Sequence, residues 1–420
     1  MFSSRSESLT DSQVRVVLSE MPMHAPDTSP LYHHCDGNTA EIRCQAARSG
    51  VESPTAGLTF HDAPPNLNGE IYMPKPRLIS AVLTLLLTQT LFAQAPQALT
   101  LSGDYPLTHD PSIAREGNTY YVYSTSLKSE EGQFPIRCSN DLHAWKRCGH
   151  IFDQIPAWIH EASPKTEVLW APDISFFEGK YHLYYAYSSF GVNTSGIALA
   201  TNATLDPKSP KYHWNDEGLV LKSTPSDDFN AIDPNIVLDD KGQPWLSFGS
   251  FWSGIKMRRI DAATGKLFSA DSQLYALAAR VKPDNAAPAK PGLPADWQAI
   301  EAPFIVRHGG FYYLFVSFDL CCRGTHSSYR TMVGRARQVT GPYVDAEGKP
   351  MLKDGGTQLL TANGRWLGPG GESVLQRPEG DILVFHAYDA ASGKPALQIS
   401  TLTWADGWPH AELGTTGESK

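Results

Sequence analysis

Between about residue 105 and residue 410 the chain says one phrase five times. A short cluster containing an acid, usually a proline, and an aliphatic residue leads into a glycine turn, then a burst of tyrosines and aliphatics. The copies are His109-Asp110-Pro111-Ser112-Ile113 with Tyr120-Tyr121-Val122-Tyr123, Ala171-Pro172-Asp173-Ile174 with Tyr181 to Tyr185, Ile232-Asp233-Pro234-Asn235-Ile236 with Trp245-Leu246-Ser247-Phe248, Glu301-Ala302-Pro303-Phe304-Ile305 with Phe311 to Phe315, and Glu372-Ser373-Val374 with Ile382 to Phe385. Measured on Ile113, Ile174, Ile236, Ile305 and Val374, the steps are 61, 62, 69 and 69 residues. A repeat of that length, holding several short strands per unit, signals a β-propeller, and five copies predict five blades. Strands are expected at 119–124, 181–188, 196–201, 245–249, 311–317, 332–337, 382–388 and 397–403, where β-branched and aromatic residues cluster between glycine turns. The Pro- and Ala-rich stretch 282–296 reads as a rim loop.

The front of the chain does not share this pattern. Residues 73–95 read as a secretory signal: Met73-Pro74-Lys75-Pro76-Arg77 is a basic start, 78–92 an apolar run, and Ala93-Gln94-Ala95 a small-residue cleavage site. The run is 15 residues, short of the roughly 20 a membrane-spanning helix needs; the structural alternative is a buried core helix. Because such a signal belongs at an N-terminus, residues 1–72 are expected to be an over-long gene start or a disordered leader, and 96–420 the propeller. The protein is then secreted or periplasmic. A net charge of −9 without a basic stripe argues against nucleic acid, and no second apolar segment calls for a membrane.

Export permits disulfides. Cys138 and Cys148 flank the turn-like Ser139-Asn140-Asp141-Leu142 and are placed to pair across a hairpin; the adjacent Cys321 and Cys322 are either a vicinal disulfide or a reduced pair. Without a CxxC or a histidine at ligand spacing, these cysteines do not make a zinc site. P-loop, HExxH and GxSxG motifs are absent.

Asp110, Asp233 and Glu301 hold nearly equivalent places in repeats one, three and four, each at the start of an inner strand. One Asp-Pro step alone is ordinary turn chemistry. Three acids at repeat-matched positions are instead expected to face one shared cavity at the axis, where mutual repulsion raises at least one pKa. A carboxylic acid opposite an ionised carboxylate is what glycoside hydrolysis uses. Asp173 follows its proline rather than preceding it and is assigned a structural or supporting role.

The segments His109-Asp110-Pro111-Ser112-Ile113, Trp170-Ala171-Pro172-Asp173-Ile174, Asn230-Ala231-Ile232-Asp233-Pro234-Asn235, Ser247 to Ile255, Ile300-Glu301-Ala302-Pro303-Phe304-Ile305 and Phe318-Asp319-Leu320-Cys321-Cys322-Arg323-Gly324 resemble those of glycoside hydrolase family 43, and within it the arabinan endo-1,5-α-L-arabinosidases. The resemblance spans about residues 100–405. It implies a five-bladed propeller that cleaves α-1,5-linked arabinofuranose chains with inversion, acting as a monomer on arabinan and arabino-oligosaccharides. It implies Asp110 as general base, Glu301 as general acid and Asp233 as the third, pKa-tuning carboxylate. It also implies His386 beside a channel metal, calcium held largely through waters, whereas a lone histidine is ordinarily a packed one. Trp170 and Phe190 become sugar-stacking aromatics, although aromatics usually pack blades, and Ser250 a hydrogen-bonding partner of a sugar hydroxyl. The sequence departs from many relatives at Gly371, where they carry histidine. Endo action, exo action by an arabinofuranosidase or β-xylosidase of the same family, and sugar binding without catalysis remain the alternatives.

Overall fold

A computed structural model describes residues 95–290 and 293–415. Ahead of these it describes only the short antiparallel pairing of His33–His34 with Gln45–Ala46. The expected leader and export signal otherwise lie outside the described residues.

Five antiparallel sheets follow one another along the chain, as the repeat predicts. Blade 1 runs outward from Ser112–Glu116 through Thr119–Tyr123 and Gln133–Ser139 to Ala144–Phe152, with Ser102–Gly103 added in parallel at its edge. Blade 2 comprises Trp170–Phe177, Lys180–Tyr187, Ser195–Asn202 and Asn215–Ser223. Blade 3 comprises Asn235–Leu238, Pro244–Phe248, Ile255–Arg259 and Tyr275–Ala278. Blade 4 comprises Ile300–His308, Phe311–Phe318, Arg330–Ala336 and Thr357–Leu360, and blade 5 Trp366–Leu375, Asp381–Asp389, Pro395–Ala405 and Trp408–His410. The stretch 282–295 has no strand among its described residues. No helix among the described residues is long and apolar enough to cross a membrane.

The expected turn chemistry operates where inner strands fold back. Glu178-Gly179 (φ 49° and 73°) and Gly309-Gly310 (φ 54° and 79°) take positive φ at both central positions, matching the twist of the flanking strands. The first residues of the propeller close the ring by pairing with blade 5, with Leu99 N–H donating to Ile399 O at 2.8 Å and Leu397 N–H to Tyr105 O at 2.9 Å. Closure protects a sheet edge that would otherwise template aggregation.

Each interface between neighbouring blades carries its own apolar core. Tyr123, Phe134, Leu183 and Tyr185 fill the space between blades 1 and 2, Ile236, Leu246, Leu199 and Tyr184 that between 2 and 3, and Ile255, Leu314 and Val316 that between 3 and 4. Phe315 with Phe385, and Val122 with Val384, do the same for the last two interfaces. The cysteine pair Cys138–Cys148 is a disulfide across two strands of blade 1, as expected, with its Cα atoms 6.0 Å apart.

At the axis the repeat shows a feature the sequence pattern only hints at. One residue at each inner-strand start takes the left-handed conformation: Asp110 (φ 48°), Ala171 (43°), Asp233 (55°), Ala302 (53°) and Gly371 (59°). In blades 2, 4 and 5 the strand pairing slips here. Non-glycine residues in this region carry strain, held by the surrounding ring. The register corrects the expected equivalence of the three acids. Asp110 and Asp233 are equivalent; Glu301 stands one residue earlier, at the place of His109, Trp170, Ile232 and Gly370.

Two residues past the left-handed position, a polar side chain ties blade to blade. Ser112 Oγ accepts from Ile174 N–H (3.0 Å), Asp173 Oδ2 from Ile236 N–H (2.9 Å), and Asn235 Oδ1 from Ile305 N–H (2.9 Å), while Ser373 Oγ donates to Pro111 O (2.8 Å). Asp173 is one of these ties, in keeping with the supporting role expected of it.

Candidate active site

Asp110 is held by a fixed set of donors. Its Oδ2 receives His109 Nδ1 at 2.7 Å and Thr125 Oγ1 at 2.5 Å. Thr125 in turn accepts from Ala171 N–H at 2.8 Å, so its own proton must go to Asp110. Burial pushes the Asp110 pKa up, but His109, His386 and Thr125 outweigh it and hold the carboxyl at about 2. The second oxygen, Oδ1, has no donor among the described residues, and the side chain keeps 22% of its surface open. A Cβ at position 371 would lie 2.7 Å from Oδ1 and 2.8 Å from the His386 ring. Gly371 therefore leaves room at the one Asp110 oxygen still available.

Glu301 is treated in the opposite way. It is buried, with Ser250 donating to Oε2 at 2.5 Å and Tyr329 to Oε1. Burial dominates and, with the Asp110 charge, raises its pKa to about 7 against the lowering effect of Ser250. Asp233 is half-buried, with one donor, Ala302 N–H at 3.2 Å. Burial, then the charges of Glu301 and Asp110, drive its pKa well above the usual carboxylate range. Asp233 and Glu301 thus act as a pair that resists losing both protons.

The structure brings Trp170, Phe190, Ser250 and Glu301 together on one cleft of about 320 Å³, also lined by Trp252, Cys321 and Cys322. Asp110, Asp173, Asp233 and Glu372 line a small cavity at the axis. Phe190 is 81% exposed, the extreme among the large apolar side chains described, and packing does not explain it. Trp170 sits half-buried at the head of the blade 2 inner strand. Ser250 commits its proton to Glu301, so it steadies that carboxyl and keeps its lone pairs for a sugar hydroxyl.

His386 is fully buried and stacks on His109 with ring centroids 3.8 Å apart. Its Nδ1 accepts from Asp110 N–H at 3.2 Å, and its Nε2 has no partner among the described residues. Burial and the neighbouring His109 push its pKa well below the usual value, so the ring is neutral. His109, Asp110 and His386 offer atoms within 4.8 Å of one another, but both His109 nitrogens are engaged, by Asp110 and Tyr388. A cation on His386 Nε2 would shift the ring proton to Nδ1, which would give up the bond from Asp110 N–H and face Asp110 Oδ1 at 3.7 Å. The residues fit an ion that takes one protein nitrogen and draws the rest of its shell from water.

Several participants escaped the sequence reading. His109 stands beside Asp110 in the first repeat, and Tyr388 lies two residues past His386, hence on the same face of its strand; both carried a positional signal. Glu372 was visible as the acid of the fifth repeat. Burial raises its pKa to about 8 while Ser317 donates to Oε2 at 3.1 Å. Tyr329 and Thr125 lie outside the repeated clusters and gave none.

Residues 101–409 match the profile of Glycosyl hydrolases family 43. The chain is 44% identical over 305 residues to the extracellular endo-α-(1→5)-L-arabinanase 1 of Bacillus subtilis, covering 72% of this chain and 87% of that one. The chain belongs to glycosyl hydrolase family 43. Another family 43 relative, 42% identical over 312 residues (72% of this chain, 86% of that one), is the extracellular exo-α-(1→5)-L-arabinofuranosidase of Cellvibrio japonicus. The solved α-L-arabinanase of Cellvibrio cellulosa complexed with arabinohexaose superposes with a TM-score of 0.68 at 40% identity, over 73% of this chain and 96% of that one. The family 43 match covers the five blades and, like them, leaves out the front of the chain.

Proposed function

We propose that this glycoside hydrolase cleaves α-1,5-linked L-arabinofuranose chains of arabinan with inversion, by endo action, outside the cytoplasm. The observation that carries the reading is electrostatic. At one axis a carboxyl is held ionised, Asp110, and another is held near its protonated form, Glu301, beside a cleft with an exposed aromatic. The relatives named for action on α-(1→5)-L-arabinose linkages agree with it.

In this reading a chain lies along the cleft with sugar faces against Phe190 and Trp170. Asp110 Oδ1 takes a proton from water as the water oxygen bonds to the anomeric carbon. Glu301 gives its proton to the departing glycosidic oxygen on the other face. The C–O bond breaks, and the new hydroxyl has the opposite configuration. Asp233 keeps the proton on the acid between turnovers. His386 is proposed to hold a calcium ion within a shell of waters; such an ion supplies fixed positive charge beside Asp110. Export is supported by relatives named extracellular and by two disulfides.

The Cellvibrio japonicus relative, named for exo action, keeps a second reading alive: release of units from a chain end. Chromatography of early products from debranched arabinan separates the two. A ladder of sizes supports endo action, a single size exo action, and no product a binding protein. A chain starting near Gln97 should retain the full activity if residues 1–72 lie outside the catalytic domain, and elemental analysis of active enzyme should find one calcium per chain.

A further inference from the structure

The adjacent cysteines Cys321 and Cys322 are joined in the structure, on the wall of the cleft and accessible to solvent. The reaction described above has no use for sulfur. The peptide N–H of Cys322, however, belongs to the bond enclosed by this small ring, at a residue in the left-handed conformation (φ 65°). The ring therefore fixes where that N–H points. It donates to the hydroxyl oxygen of Tyr388 at 2.9 Å.

With a neutral His109 ring the hydrogen bonds run in one direction. Asp110 is ionised and only accepts, so His109 Nδ1 carries the ring proton. On a neutral His109 ring Nε2 is then an acceptor, and the Tyr388 hydroxyl 2.7 Å away is its donor. Tyr388 is left with its lone pairs, and one of them faces the Cys322 N–H. The chain runs one way, from Cys322 N–H to Tyr388, to His109, to Asp110 Oδ2.

We propose that the Cys321–Cys322 disulfide and Tyr388 are positioning residues for the general base: the ring aims the Cys322 N–H, Tyr388 fixes the His109 tautomer, and His109 holds Oδ2 so that Oδ1 faces the attacking water. The inference rests on the assignment of Asp110 as the base. It makes the disulfide an accessible element whose opening releases the base without removing any group that touches the sugar.

The test is a double-mutant cycle on linear arabinan with Tyr388→Phe, the pair Cys321→Ala with Cys322→Ala, and all three together. Each arm should lower kcat about 10-fold, the size of effect typical of groups that orient a primary residue, with KM within about twofold of wild type. The triple variant should lose no more than the stronger single arm, because both cut the same chain. Effects that multiply, or that appear in KM alone, overturn the proposal. If the cysteine variant does not fold, dithiothreitol is applied to the wild type and to Tyr388→Phe, with alkylation mapped to Cys321 and Cys322. The Cys138–Cys148 bridge is present in both proteins, so its contribution cancels. Wild type should lose more kcat on reduction than Tyr388→Phe does, and regain it on reoxidation. Equal losses in the two proteins overturn the proposal. Full activity in Asp110→Asn would instead remove the base assignment, whatever the cycle shows.

Discussion

Blades 1 and 3 put the same residue type at the same place, an aspartate in the left-handed conformation just before a proline, and the protein treats the two in opposite ways. Asp110 has His109, Thr125 and the edge of His386 around it, and is held ionised. Asp233 has one backbone donor and two acidic neighbours, and is driven toward its protonated form. Blades 2 and 4 repeat the same backbone with Ala171 and Ala302. The strained turn is therefore a property of the ring, while the chemistry comes from which side chain stands there and from the residue just before it: His109 in blade 1, Glu301 in blade 4.

The largest effects should come from the two carboxyls with opposite proton states. Asp110→Asn and Glu301→Gln should each lower kcat on unactivated arabinan by about 10²–10⁴-fold, with the melting temperature little changed. A variant keeping more than about a tenth of wild-type activity would take that residue out of the acid–base pair.

Asp233→Asn should cost less, about 10²-fold, and should change the shape of the pH profile. Glu301 must be protonated to act, so wild-type activity should fall as pH rises through about 7. Removing the acid that shares its proton should move this fall to lower pH. Ser250→Ala should move it to higher pH, since the Ser250 hydroxyl favours the ionised form of Glu301. If Ser250→Ala changes KM and leaves the profile in place, the hydroxyl serves the sugar and not the acid.

Much of this was legible from the chain. Five clusters at near-constant spacing gave the blade count, because a repeat too short to bury its own face must stack. The acids at the cluster heads gave the axis. The one-residue offset of Glu301 was not legible, because it depends on which residue turns left-handed and Ala302 bears no mark of it. Tyr329 and Thr125 were hidden for another reason. They reach the carboxyls from loops, Thr125 just after the second strand of blade 1 and Tyr329 just before the third strand of blade 4, and such contacts follow from tertiary packing, with no period in sequence. Gly371 was noticed as a departure, but its meaning, space beside Asp110 Oδ1, needed coordinates.

Smaller effects concern the ties between blades. Asp173→Ala should cost about 1–3 kcal/mol, since it leaves the Ile236 N–H buried without a partner. Asp173→Asn keeps an acceptor there. Burial raises the Asp173 pKa from 3.8 to about 7, so the folded state binds this proton more tightly than the unfolded chain. The associated stability is complete below the unfolded value and is lost as pH rises through about 7. Thermal melts should show wild type losing ground to Asp173→Asn over that window. Smallest of all, Ala171→Gly relieves a left-handed alanine and should change stability by no more than about 1 kcal/mol; a larger loss would mean the Ala171 methyl packs more than it strains.

The most direct test of the central claim is a carbon-13 carboxyl titration of protein labelled at Asp and Glu, with resonances assigned through Asp110→Asn, Asp233→Asn and Glu301→Gln. The account predicts that near pH 5 the Asp110 carboxyl is ionised while those of Asp233 and Glu301 remain protonated, with Glu301 losing its proton near pH 7. Asp110 and Asp233 titrating together near the ordinary value of about 4 would contradict it, because equivalent positions would then have equivalent chemistry.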